Sequence, residues 1–182
     1  MNETLKVIAS RYSCRGFTDQ MPADDAIQAI AAAGIAAPSA SNTQKWRIIV
    51  IKNKDLIREI DEASLEVVKN NNEEGYNRIM SGPGTLIYNA PVMYMLACPD
   101  GAGMDCGILA ENITLAATSL GLSSLICWMA GNLFSGEKAD YFKEKMQFPE
   151  GYGFGISVLV GYPTDPNGTP HVPDPSKIIY ID

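Results

Sequence analysis

Pro91-Val92-Met93-Tyr94-Met95-Leu96-Ala97, followed after a short polar break by the periodic stretch Asp105 to Leu120, decides the fold class. Proline can introduce a strand but does not sit inside a central one. The apolar run behind it does not alternate, which predicts a strand covered on both faces. Asp105 to Leu120 then places Ile108, Leu109, Ile113, Leu115 and Ala116 in a wide apolar stripe, and Gly121 ends the helix. Ser123 to Met129 is strand-like again. Buried strands alternating with helices predict a layered α/β or α+β domain.

Working outward, Thr4 to Ser10 is predicted as a short helix and Asp24 to Ala36 as a second, its two leading aspartates favouring the positive helix end. Trp46 to Ile51 has the β-branched composition of a strand. Lys54 to Asn70 returns to helical spacing through Leu56, Ile57, Ile60, Leu65 and Val68. Asn70 to Gly75 and Ser81 to Gly84 are predicted as loop-like, and the segment between them, which fits no single pattern, as a mobile excursion. Glu137 to Met146 is expected as a helix and Phe154 to Val160 as a buried strand. Five prolines then stiffen the segment Gly161 to Ser176, and the chain ends in the apolar run Lys177-Ile178-Ile179-Tyr180-Ile181. That tail is expected either to dock elsewhere or to edge its own sheet.

The 182 residues suit one domain, and 46% hydrophobic against 19% charged residues exclude a disordered chain. Lys+Arg 14 against Asp+Glu 21 gives a net charge of -7, which argues against non-specific binding to nucleic acid or anionic membranes. An anionic ligand would need a local basic cluster. The cysteines Cys14, Cys98, Cys106 and Cys127 form no C-x-x-C pair, and with the single histidine His171 they cannot supply the ligand spacing of a zinc site. A Cys–His nucleophile pair would have to recruit His171 from among prolines, where no rigidly held base is expected. Free thiols, and no apolar segment behind the N-terminus or of spanning length, predict a soluble cytoplasmic protein.

Three segments offer chemistry. In Arg11-Tyr12-Ser13-Cys14-Arg15-Gly16-Phe17 an extended backbone would put Arg11, Ser13 and Arg15 on one face. Two guanidinium forks around a hydroxyl make an anion clamp, although the spacing also fits a solvated edge with two ordinary arginines. Pro38-Ser39-Ala40-Ser41-Asn42-Thr43-Gln44 combines small residues, which admit a ligand to the backbone, with two amides that match the edge of a heteroaromatic ring; it also fits an ordinary turn. The strand with Ile126, Cys127, Trp128 and Met129 could pack against a flat cofactor or simply within the core. It carries no Rossmann or Walker glycine spacing.

Taken in order, these segments resemble the nitroreductase family over nearly the whole chain. The resemblance rests on Arg11-x-Ser13-x-Arg15-x-Phe17, Ala37-Pro38-Ser39-Ala40-x-Asn42-x-Gln44-x-Trp46, Asn89-Ala90-Pro91, Leu115-Ala116-Ala117-x-x-x-Gly121-Leu122 and Gly161-Tyr162-Pro163. It implies an α+β fold with a mixed sheet flanked by helices, in an intertwined homodimer that holds FMN between subunits. Residues 1–182 would be one FMN-binding domain, with 163–182 as an arm reaching the partner.

By the same resemblance Arg11 and Ser13, with Tyr12 between them, would grip the phosphate, and Arg15 would lie near the N1/O2 edge of the ring. Pro38, Ser39 and Ala40 would come from the partner, with Asn42 and Gln44 nearby, and Ile126 to Met129 would run beside N5. The implied activity is hydride transfer from NADH or NADPH through the flavin to a nitroaromatic, quinone or similar small acceptor. A flavin-binding or redox-sensing protein with little turnover, or a dedicated metabolite oxidoreductase, are the alternatives. Two departures stand out. Lys45 replaces the proline of the family's Asn-x-Gln-Pro-Trp, and beyond Gly161-Tyr162-Pro163 only His171 or Lys177 can stand where the family places basic residues for the phosphate.

Overall fold

The computed structural model describes residues 1–181, so Asp182 at the end of the expected arm lies outside the described residues. Helices α1 (Glu3–Ser10) and α2 (Asp24–Ile35) precede strand β1 (Arg47–Ile51), and α3 (Lys54–Asn71) and α4 (Glu73–Ser81) separate it from β2 (Val92–Cys98). Helix α5 (Gly103–Ser119), β3 (Ser123–Cys127), a 3-10 helix (Met129–Ser135), α6 (Ala139–Lys145) and β4 (Gly153–Gly161) complete the domain. The sheet order is β1-β2-β4-β3, with the three strand pairs antiparallel. Parallel character comes from an isolated bridge between Ser13 and Ser124.

The unbroken apolar run of β2 has its cause in two separate cores. On one face Met93 and Met95 meet Ile57 and Ile60 of α3, Leu133 of the 3-10 helix and Phe142 of α6. On the other, Tyr94 and Leu96 meet Ile27 and Ile30 of α2 and Leu109 and Ile113 of α5. Each such buried side chain contributes about 1.5–3 kcal/mol relative to exposure. The Tyr94 hydroxyl donates to the Ile27 carbonyl at 2.9 Å, which satisfies the one polar atom this core admits from β2. No helix among the described residues is long and apolar enough to cross a membrane.

Four expectations need correction. Residues 73–81 form a helix, because the Asn72 side chain accepts from Gly75 N at 2.9 Å and caps it. Tyr76 and Ile79, three apart, pack that helix on the core. A Cβ at 75 would lie 2.5 Å from the capping amide, so a larger residue there would displace the Asn72 cap. Strand β3 stops at Cys127, so Trp128 and Met129 belong to the turn into the 3-10 helix, closed by Gly131 N donating to Trp128 O at 2.8 Å. Helix α6 spans only Ala139–Lys145, shorter than the predicted 137–146. Ile108 faces outward, because α5 buries Cys106, Leu109, Ala110, Ile113 and Ala117 instead.

The turn 85–89 sets the start of the functional region. Asp61 of α3 accepts from Thr85 Oγ1 at 2.5 Å and Leu86 N at 2.8 Å. Tyr88 and Asn89 take positive φ of 55° and 60°, and Tyr88 O receives the amide of Phe17 at 3.1 Å. Burial pushes the Asp61 carboxyl above its ordinary value of 3.8. A carboxyl raised on folding stabilises the protein fully below the ordinary value, and that contribution is lost as pH rises through the raised one. The stability of wild type relative to Asp61→Asn is therefore expected to fall from pH 4 upward, in paired urea denaturations. A difference that grows with pH would contradict this account.

Candidate cofactor site

Arg11 ends α1 with its amide on Val7 O and an extended backbone, so the chain leaves the helix straight into the predicted clamp. Ser13 pairs with Ser124, and Cys14 N donates to Ser124 O at 3.0 Å. Ser13 and Arg15, two apart, are exposed on one side and Cys14 between them is buried, while Phe17 breaks the alternation and turns into the core beyond Gly16. Arg15 Nη1 donates to Ser13 O at 3.4 Å and makes no ion pair among the described residues. Arg11 is mostly buried, its side chain 19% exposed, with Nε 3.7 Å from Glu111 Oε1. Beside Ser13, the Ser124 hydroxyl is buried and has no hydrogen-bond partner among the described residues.

Tyr12 fastens the region after β4 to this segment. Its hydroxyl accepts from Ser123 Oγ at 3.1 Å and donates to Asp165 O at 3.4 Å, while burial pushes its pKa up. Thr164 N donates to Gly16 O and Thr18 N to Tyr162 O, so residues 162–165 run along the clamp. Gly168 lies against the Tyr12 ring, where any Cβ would overlap it. His171 is three residues beyond that contact, at most about 11 Å of chain. Lys177 is nine beyond, on a turn where its ammonium lies 3.6 Å from Asp174 and its side chain is 81% exposed.

The second segment is a tight turn with φ of 51°, 53° and 49° at Ser41, Asn42 and Gln44. Such angles cost energy for residues other than glycine, least for asparagine. Hydrogen bonds hold the turn: Gln44 N donates to Ser39 Oγ at 2.9 Å, and Gln44 Nε2 to Asn42 Oδ1 at 3.0 Å. Ala40 N donates to Asp105 Oδ1 at 3.4 Å, which ties the turn to the first turn of α5. Pro38 and Ala40 to Lys45 are exposed, whereas Trp46 is buried as an anchor.

In the third segment Cys127 points inward, and Ile126, Trp128 and Met129 are exposed. Trp128, at 63%, meets the Phe154 ring edge-on with centroids 5.5 Å apart, and Phe154 stacks on Phe134. Burial pushes the thiols of Cys14 and Cys127 up and that of Cys106 to about 12. Raised thiols are poor nucleophiles. All four cysteines are free and buried.

Within one chain the Ser13–Ser124 bridge joins the first and third segments. The second stays apart: Asp105 holds it near one end of α5, six residues from Glu111 and so about 9 Å along the axis. Lys177 pairs with Asp174 in its own chain. A cavity of about 440 Å³ lies elsewhere, lined by Phe17, Lys54, Ile57, Arg58 and Asp61, and contains none of the predicted site residues. Glu111, Asp105, Ser124 and Gly168 were not read from sequence. The two carboxylates on an otherwise apolar helix were the available signal for the first pair.

The nitroreductase family model matches residues 8–162. The chain belongs to the nitroreductase family. A family member from Archaeoglobus fulgidus, provisionally named an NADH dehydrogenase/NAD(P)H nitroreductase, is 30% identical over 91% of this chain and 88% of its own. The FMN reductase (NADPH) of Bacillus subtilis is 26% identical over 92% of this chain and 69% of its own. Among solved nitroreductases, the crystal structure of the Desulfitobacterium hafniense protein with bound FMN matches at TM-score 0.95 and 48% identity, over 100% of both chains.

Proposed function

We propose that this nitroreductase is an FMN-dependent NAD(P)H oxidoreductase acting on a nitroaromatic, quinone or similar small acceptor. The observation that carries the reading is the Arg11–Ser13–Arg15 segment, two guanidiniums flanking an exposed hydroxyl on a chain of net charge -7, joined to β3 through the Ser13–Ser124 bridge. The residues present fit a flavin mononucleotide. The clamp supplies donors for one phosphate, the buried Ser124 hydroxyl still lacks a partner, and exposed Ile126, Trp128 and Met129 offer an apolar surface. The full-length likeness to an FMN-bound nitroreductase supports the same group, and the names of the relatives support NAD(P)H as donor. Bound FMN would supply hydride acceptance and donation at N5, while the protein positions the reactants and keeps the thiols out of the chemistry.

In this reading Arg11 and Ser13 hold the phosphate, with Tyr12 fixing the segment. Arg15 places positive charge at the N1/O2 edge, and the backbone from Ile126 to Met129 flanks N5. Pro38, Ser39, Ala40, Asn42 and Gln44 are contributed by a second copy, which accounts for a strained, exposed turn held away from its own clamp. His171 or Lys177 would complete the phosphate grip, His171 being the closer along the chain to the pinned Gly168. Exposed Leu5 and Ile8 on α1 and Met104 and Ile108 on α5 offer apolar area to that second copy. Its arm would add a strand to β1, the sheet edge, in a groove of about 380 Å³ lined by Arg47–Ile51, Leu56, Met146 and Gln147. Four buried free thiols suit a reducing, cytoplasmic setting.

The purified protein is expected to be yellow and to release FMN, identified by mass spectrometry. NADH or NADPH should bleach it anaerobically within seconds. Release of FAD, or no flavin after reconstitution, would remove the cofactor assignment. FMN that stays oxidised with both nucleotides would favour the redox-sensing alternative.

A further inference from the structure

Resting on the phosphate reading above, we infer that Glu111 is a positioning residue that holds Arg11 ready for the phosphate. The cap of α1 fixes the Arg11 backbone, and its side chain is mostly buried between α1 and α5. A guanidinium taken this far from water needs a compensating charge. Glu111 supplies it from the Nε side at 3.7 Å, and among the described residues no other side chain pairs with Arg11. The two Nη groups therefore keep their donors for a phosphate, which matches their paired geometry.

Glu111 is itself oriented. Thr114, fully buried one turn further along α5, shares its hydroxyl proton between Glu111 Oε2 at 3.1 Å and Glu111 O at 2.9 Å. The order of support runs from a buried threonine to a carboxylate, then to an arginine, then to the ligand. A carboxylate near a phosphate is at first sight a repulsive neighbour. With the guanidinium between them, the attraction that orders Arg11 acts at shorter range than the repulsion. Glu111 thus acts on the phosphate end of the ligand and not on the ring.

This gives a readout that a scaffold role would not move. FMN and riboflavin differ only in the phosphate. The experiment dilutes protein loaded with each flavin and follows release by fluorescence, for wild type, Glu111→Gln, Thr114→Val, Arg11→Ala and the Glu111→Gln/Arg11→Ala double variant. Glu111→Gln, which keeps shape and chain packing, is expected to weaken FMN about five- to tenfold and to leave riboflavin unchanged. Thr114→Val should act in the same direction with a smaller effect. On the Arg11→Ala background Glu111→Gln should add less than about twofold, because there is no longer an arginine to place. FMN affinity that is unchanged or tighter in Glu111→Gln would overturn the inference, as would equal weakening of both flavins. If wild type binds FMN and riboflavin alike, or Arg11→Ala leaves their ratio untouched, the phosphate assignment itself fails.

Discussion

A protein lacking residues 170–182 is expected to sediment as a monomer and to lose its FMN. The deleted segment carries Ile178, Ile179 and Ile181, which are 59%, 83% and 92% exposed on their own chain. They form no strand with it. Covering each is worth roughly 1.5–3 kcal/mol, enough together to hold a short strand on the edge of β1. Flavin loss is expected to accompany dissociation, because in the proposed dimer the turn at Pro38–Gln44 would reach the clamp from the second copy. The deletion also removes His171 and Lys177, so a full-length Ile179→Asp/Ile181→Asp variant separates the effects: it keeps both basic side chains and should still come apart. A truncated protein that stays dimeric with full flavin occupancy, by ultracentrifugation and absorbance, would refute the arm's role.

Replacing Arg15 with alanine is expected to lower the midpoint potential of the bound FMN by about 30–60 mV. Reduction places negative charge at the N1/O2 edge, and a cation there favours the reduced form. A charge-assisted hydrogen bond is worth about 1.5–3 kcal/mol, and for a two-electron couple 30 mV corresponds to about 1.4 kcal/mol. Arg15 is exposed beside Ser13 and makes no ion pair among the described residues, so its charge is not already neutralised. Spectroelectrochemistry of the FMN-loaded variant gives the value directly. An unchanged potential with flavin still bound would take Arg15 away from the ring.

The sequence carried those parts of the molecule that local chemistry determines. Pro91 and the apolar run behind it marked β2, and the alternation put Ser13 and Arg15 outward, whereas Arg11 is mostly buried against Glu111 of α5. The 70–84 stretch misled because its composition is that of a loop, while a single side chain, Asn72, decides in favour of a helix. Helix α5 is apolar nearly all round, so its pattern could not say that Leu109 serves its own core while Ile108 faces out. Glu111 and Asp105 escaped for another reason. Their partners, Arg11 and Ala40, lie far off in the chain and meet them only once the layers have packed. The sequence excluded the C-terminal run from a central strand, since five prolines precede its β-branched residues, and residues 178–181 form no strand in their own sheet.

The open edge of β1 and the exposed C-terminal run are two different surfaces, and in the proposed dimer one would accept a strand and the other offer one. Such a pair can join in a ring or in an open series. If every molecule gave its tail to the next in a line, growth would never stop, and the product would be a fibre. A two-fold exchange ends it, because each molecule gives to the one from which it receives. In the proposed dimer the proline-stiffened segment, pinned at Gly168 on Tyr12, would restrict where each tail can travel and so favour the closed exchange. Lengthening that segment with flexible residues would loosen the selection, and large assemblies in light scattering would then appear before any loss of secondary structure.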